Sequence, residues 1–286
     1  MACTVKQLIQ SSAALLRSSD TALLDSELLL AEVLGVTRTH IMMYPEKVLS
    51  DEQQGRFLSL IDRRVKGEPL AYITGKQGFW TLELTVTPDV LVPRPETELL
   101  VEIALDALPA DRQCRVLDLG TGSGAIALSL ASERPAWTVC ATDASARALA
   151  VANQNAKKYG LSDRVTWIAG NWFDPVASSD RFDLILSNPP YLADDDSHLG
   201  MGALPFEPVS ALVATDAGLG DFKTIIGTAP GYLVNGGQLL VEHGCEQGSA
   251  VRTLFDQAKF ADIRTIQDLA GLDRVTVGKM PGSGKN

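Results

Sequence analysis

A series of short apolar runs, "RVLDLG" (115–120), "TVCATD" (138–143), "RVTWIAG" (164–170), "RFDLILSN" (181–188) and "GQLLVEHG" (237–244), recurs with helix-like stretches between most of them. A strand that is apolar throughout has to be covered on both faces, and strands separated by helices pair in parallel through crossover connections. The pattern predicts an open, doubly wound α/β sheet beginning near residue 95, with helices on both sides. After the helix-like "QGSAVRTLFDQAKF" come "ADIRTIQ" and "DRVTVGK", separated by a short loop, so these last two strands are predicted to pair antiparallel.

Upstream of residue 75 the periodicity is helical. Val5, Leu8, Ile9, Leu15 and Leu16 fit one face of a first helix, and Leu24, Leu28, Ala31 and Leu34 one face of a second. "SDEQ" at 50–53 reads as a capping box with Ser50 as N-cap, followed by a stripe of Phe57, Leu58, Ile61 and Val65. Gly67, Pro69 and Gly75 then interrupt helicity. "FWTLELTVTPDVLVP" (79–93) alternates as two short strands with a turn near Pro88 and Asp89. The expected organisation is a helical bundle over 1–75, a β-hairpin connector over 76–94, an α/β domain over 95–280 and a flexible tail over 281–286. The tail lacks a complete phosphate-loop spacing.

Composition narrows the function. With 35 acidic against 25 basic residues the net charge is −10, which disfavours phosphate-driven binding of nucleic acid. No apolar run reaches the length of a membrane span and the amino terminus lacks a signal-peptide pattern, so a cytoplasmic protein is expected. Cys3, Cys114, Cys140 and Cys245 fall at no metal or redox spacing and His40, His198 and His243 form no cluster, so no metal site is expected.

The chemistry concentrates in "DLGTGSGAIALSLA" (118–131), a strand, a glycine loop and a helix start. Gly120, Thr121, Gly122, Ser123 and Gly124 let a ligand approach the backbone at a helix N-terminus. The spacing is Gly-x-Gly-x-Gly and not the Gly-x-Gly-x-x-Gly of a dinucleotide site, and Asp118 beside the loop repels a pyrophosphate. A carboxylate there suits a ligand carrying positive charge, and S-adenosylmethionine carries both a sulfonium and an ammonium group. Asp143 closes the next strand where an acid accepts both hydroxyls of a ribose, although helix capping or an NAD site would use it equally well. After the third strand, Asn171 and Trp172 are candidates for the edge and face of an adenine, or else a turn residue and a core residue.

"SNPPY" (187–191) ends the fourth strand, adjacent in a doubly wound sheet to the glycine loop. As a plain turn it needs no function, because proline fixes φ and stops a ladder. As a site it offers the Asn188 side-chain oxygen and the Pro189 carbonyl as acceptors for the two N–H groups of a planar amide, with Tyr191 to pack on it and Pro190 to stiffen the elbow. This arrangement is similar to methyltransferases that alkylate planar nitrogens, including those acting on adenine-N6 in nucleic acid.

Taken together, "EPLAYITGKQGFW", "VPRPETELLVE", "DLGTGSG", "SNPPY", "FEPVSALVA", "GGQLLVEHG" and "DRVTVGK" resemble the bacterial protein-(glutamine-N5) methyltransferases that act on peptide-chain release factors. The resemblance implies a class I S-adenosylmethionine-dependent methyltransferase fold, a Rossmann-like seven-stranded sheet with its last strand antiparallel, behind a small all-α N-terminal domain. It implies methylation of the glutamine of a Gly-Gly-Gln motif in class I release factors, without direct binding of nucleic acid. By matched position, the glycine loop, Asp143 and Trp172 resemble its cofactor residues, and Asn188, Pro189, Pro190 and Tyr191 its substrate segment, with Glu207 in the same set. Two positions depart from the pattern: Asn171 stands where the family commonly carries aspartate, and Pro205 where a basic residue is common. Arg94, Glu96 and Glu98 are either helix-end charges or functional groups.

Overall fold

The computed structural model describes residues 3–17 and 19–282, so the expected tail over 281–286 lies, apart from Pro281 and Gly282, outside the described residues. The chain divides into two compact units, one formed by Met1–Lys76 with Met201–Phe206, the other by Gln77–Gly200 with Glu207–Asn286.

The first unit holds α1 (Val5–Ala13), α2 (Ala22–Leu34), α3 (Arg38–Met43), α4 (Asp51–Val65) and α5 (Leu70–Thr74). The box expected at Ser50 is present: its side chain accepts from Gln53 N–H while the Gln53 side chain accepts from the Ser50 N–H. The apolar stripes differ in phase from the expectation. On α2 the buried face runs through Asp25, Ser26, Leu29, Leu30 and Val33, and Leu24 is exposed. The cause is polar: the Asp25 carboxylate accepts from Arg64 Nε at 2.8 Å and from the Ser19 and Thr21 hydroxyls, a satisfied cluster that draws this face inward. Leu15, Leu58 and Val65 are likewise exposed, while Leu16, Phe57 and Ile61 form the core.

A hairpin of β1 (Lys76–Phe79) and β2 (Leu82–Thr85) follows, and all of it from Gln77 on belongs to the second unit. Its turn lies at Trp80, which takes a left-handed φ of 55°, and not at Pro88–Asp89 as expected. Proline has no N–H for a ladder, and the Thr87–Val90 turn, closed by Val90 N–H to Thr87 O at 3.1 Å, instead sends the chain onward as coil.

There follow α6 (Glu98–Ala107), β3 (Arg115–Leu119), α7 (Ala125–Glu133), β4 (Thr138–Asp143), α8 (Ala146–Lys158), β5 (Val165–Ala169) and β6 (Phe182–Ser187). The short turn α9 (Thr215–Gly218), α10 (Gly220–Thr228), β7 (Leu233–Glu242), α11 (Gly248–Gln257), β8 (Ala261–Gln267) and β9 (Asp273–Lys279) complete the unit. The sheet has seven strands in the order β5-β4-β3-β6-β7-β9-β8. β3 pairs in parallel with β4 and β6, and β9 is inserted antiparallel between β7 and β8. The expected antiparallel pair is therefore present, with the insertion as an added feature. Successive strand residues alternate between two cores: Val116, Leu184 and Leu186 pack on one face, and Leu117, Leu119 and Ile185 on the other with Phe222 and Ile225 of α10.

One fully buried side chain ties three elements together. Asn155 of α8 accepts from Thr85 N–H at 2.7 Å and donates to Thr85 O and Ser123 O, each at 3.0 Å, joining the hairpin to the glycine loop. Asn155→Ala leaves these backbone groups without partners and is expected to destabilise the unit by about 3 kcal/mol in urea unfolding. A loss below about 1 kcal/mol would contradict this role.

Candidate active site

The carboxyl ends of β3, β4, β5 and β6 surround a cavity of about 280 Å³. Gly120, Thr121, Gly122 and Ser123 form one wall, Asp143, Ala144 and Ser145 a second, and Asn171 and Trp172 a third. Asn188 and Pro190 close it from β6, facing the coil from Asp89 to Arg94 and Thr97, with Pro208, Ser210, Ala211 and Asp221 at the rim.

Backbone geometry explains the glycines. Gly120, Gly122 and Gly124 all have left-handed φ, at 72°, 57° and 82°. A Cβ on Gly120 would come within 3.1 Å of Trp172 Cζ3, so the indole lies against the bare backbone of the loop. Trp172 itself has a φ of 43°, and its indole N–H donates to Asp221 Oδ1 at 3.3 Å. Among residues of this size such a backbone is uncommon, and here it turns the ring over the loop.

The two acids do different work. Asp143 accepts Gly122 N–H and Ser145 N–H, each at 2.8 Å, and remains half-buried in the cavity wall. The N-cap of α8 is Ser145, which accepts Ala148 N–H at 3.1 Å, so Asp143 is not that cap. Burial pushes the Asp143 pKa up, against the pull of those two amides. Asp118 does not reach the wall. It lies on the face of β3 that carries Val116, is fully buried, and accepts from Thr121 Oγ1 at 2.6 Å beneath the loop. Desolvation pushes its carboxyl up to about 7, opposed by the Thr121 hydroxyl and the Ala127 amide. Its place is as a brace under the glycine turn.

At the elbow, Asn188 Nδ2 donates to Thr97 Oγ1 at 3.0 Å, and Ser187 Oγ donates to Leu119 O at 2.8 Å. Pro189, Tyr191, Gly124 and Glu207 stand outside the wall. Tyr191 is partly buried, its carbonyl accepts from Gln247 Nε2 at 3.0 Å, and burial followed by the Glu242 charge pushes its phenol up to about 12. Glu207 is buried and bound to Arg94 Nη2 at 2.6 Å, a pair that links the coil before α6 to the segment leading to Pro208. Arg94 therefore has a structural partner and a place in the wall, which its sequence context left open. Thr97 and Asp221 were not singled out by sequence; the first lies in the quoted "VPRPETELLVE", and the second carried no signal. Among the described residues no cluster could hold a metal ion and no helix is long and apolar enough to cross a membrane.

Sheet order, glycine loop and acidic strand end define a class I S-adenosylmethionine-dependent methyltransferase. Solved structures agree on the fold. A methyltransferase from Pyrococcus furiosus matches with a TM-score of 0.54 at 17% identity, covering 77% of this chain and 97% of that one. The Thermus thermophilus 16S rRNA N2 G1207 methyltransferase, solved with AdoMet and guanosine, matches with a TM-score of 0.54 at 19% identity over 72% of this chain and 49% of that one. Family models match as PrmC N-terminal domain over residues 7–75 and as methyltransferase small domain over 96–204. The release factor glutamine methyltransferase of Aliivibrio fischeri is 46% identical over 275 residues, 96% of this chain and 95% of the relative. That of Pseudomonas aeruginosa is 48% identical over 264 residues, 92% of this chain and 95% of the relative. The chain belongs to the release factor glutamine methyltransferase family.

The buried Asp118 makes stability depend on pH. A carboxyl whose pKa rises on folding contributes stability that is complete below its unfolded value, about 4, and is lost as pH rises through its folded value. Wild type should therefore lose on the order of 4 kcal/mol relative to Asp118→Asn between pH about 4 and pH above 7 in urea titrations. A difference that stays flat across that window would show that the carboxyl is not desolvated.

Proposed function

We propose that this protein transfers a methyl group from S-adenosylmethionine to the side-chain amide nitrogen of the glutamine in the Gly-Gly-Gln motif of class I peptide-chain release factors, and that the cavity at Asn188 is where it does so. The observation that carries this reading is that Asn188 shares one cavity with Gly122, Asp143 and Trp172.

The wall fits the methyl donor. The Asp143 carboxylate suits ribose hydroxyls, the exposed Asn171 amide and the Trp172 indole suit the edge and face of an adenine, and Gly122 has no atom within 4 Å of where a Cβ would stand. When bound, S-adenosylmethionine supplies an electrophilic methyl on sulfonium. The chain's own contribution is orientation. An amide nitrogen is a poor nucleophile because its lone pair is delocalised, so its plane has to be held with the nitrogen toward the methyl. Asn188 Oδ1 and the Pro189 carbonyl accept its two N–H groups, and the successive prolines keep both acceptors fixed. Asp118 acts through Thr121 on the loop, and Glu207 through Arg94 on the coil facing it. The helical unit over 1–75 is the candidate surface for recognising the protein that presents the glutamine, since an amide alone does not distinguish one protein from another. A cytoplasmic location follows from that substrate.

The alternative of adenine-N6 methylation shares Asn-Pro-Pro-Tyr, but the family relatives favour the protein substrate. Release factor, tRNA and DNA offered in parallel with radiolabelled S-adenosylmethionine separate the two, and label in nucleic acid alone would overturn the proposal. Asn188→Ala should lower kcat by about 10²-fold or more with the fold intact. Asp143→Ala should raise the calorimetric Kd for S-adenosylmethionine about 30-fold, and unchanged binding would confine Asp143 to bracing the loop.

A further inference from the structure

Among the described residues three acids line the cavity, Asp89, Asp143 and Asp221. Both Asp143 oxygens already hold backbone amides, and Asp89 faces Arg147 Nε at 3.3 Å and the Thr87 hydroxyl at 3.4 Å. Asp221, in the first turn of α10, holds the Trp172 indole N–H through Oδ1 alone. Its Oδ2 has no partner among the described residues.

The indole fixes where that oxygen stands. Its six-membered ring lies against Gly120, with Cζ3 and Cη2 at 3.1 and 3.5 Å from where a Cβ would be, and its pyrrole N–H lies on Asp221. A planar base laid on this ring has the glycine loop at one end and the Asp221 carboxylate at the other. Asn171, beside it, is exposed, and its side-chain amide has no partner among the described residues. Such an amide can turn to present either its oxygen or its NH₂, two ends of nearly the same shape, so it meets a 6-amino and a 6-oxo purine alike. An ionised carboxylate only accepts.

We propose that Asp221 makes the cofactor site specific for a 6-aminopurine, its Oδ2 accepting from the exocyclic amine while Oδ1 stays on the Trp172 indole. This rests on the reading of the cavity as the S-adenosylmethionine site. Burial pushes the Asp221 carboxyl up from its usual value, opposed by the Trp172 N–H, and a partly desolvated oxygen that lacks a donor gains most from receiving one. The first turn of a helix also suits an acid for its charge alone, but a charge of that kind does not read the base.

Calorimetry on the full chain with S-adenosylhomocysteine and S-inosylhomocysteine separates the two roles. The second ligand carries an oxygen in place of the amine and keeps the ribose and the amino-acid tail, so the ratio of dissociation constants reports on the base edge. Wild type should favour the adenosyl compound by about 30-fold or more. Asp221→Asn, whose amide can turn to either base, should bring the ratio to about threefold or less. Asp221→Ala should do the same, an independent variant should the first fold poorly. Trp172→Phe keeps a ring but lacks the indole N–H, so it should weaken both ligands together and leave the ratio standing. A wild-type ratio retained in both Asp221 variants would overturn the proposal and leave Asp221 as a helix-end charge. A wild-type preference that is absent, or that runs toward the inosyl compound, would also overturn it. Wild-type protein that binds neither compound would instead overturn the reading on which the proposal rests.

Discussion

The parallel pairing of β3 with β6 is the contact on which the site depends. Leu119 lies opposite Ser187, and the Ser187 hydroxyl donates to the Leu119 carbonyl at 2.8 Å, closing the pair where both strands end. The residue after each is the first of a rigid turn: Gly120 on one side, Asn188 on the other. Because parallel strands end at the same edge, the loop that meets the cofactor and the elbow that meets the substrate are brought together without either having to reach. A slip of one residue in this register would reverse the faces of β6 and send Asn188 toward the wrong core.

Rigidity around that edge comes from polar groups committed to the backbone. Asp143 holds Gly122 and the start of α8, Asp118 holds Thr121 from below, and Asn155 ties the loop to the hairpin. Arg94 and Glu207 join the two coil segments that complete the wall. Buried groups of this kind add little net stability, since desolvation offsets much of each bond, but they select one arrangement because any other leaves a charge or an amide unpartnered. Orientation catalysis needs that selection more than it needs stability.

Much of this was legible in the sequence because it is local. Strand runs, the capping box at Ser50, the glycine loop and the antiparallel last pair depend on neighbouring residues, and β4 matches its apolar run end to end. Asn188, Gly122, Asp143, Asn171 and Trp172 came out in one cavity because sheet topology follows from the alternation of strands and helices. What the sequence hid is long-range. The helix stripe on α2 turned because Asp25 meets Arg64 of α4, a pairing no periodicity reveals. Asp118 reads as a ligand group by position and is a buried brace by pleat, one residue out of phase with Leu119. Thr97 and Asp221 gain their meaning only from partners far along the chain.

The most direct test of the account is a crystal structure of the protein with S-adenosylhomocysteine and a Gly-Gly-Gln peptide. The account predicts the glutamine side-chain nitrogen within about 3.2 Å of both Asn188 Oδ1 and the Pro189 carbonyl, with Asn188 Nδ2 still on Thr97. A glutamine amide seated away from the elbow, or an Asn188 amide bound to it through Nδ2, would contradict it.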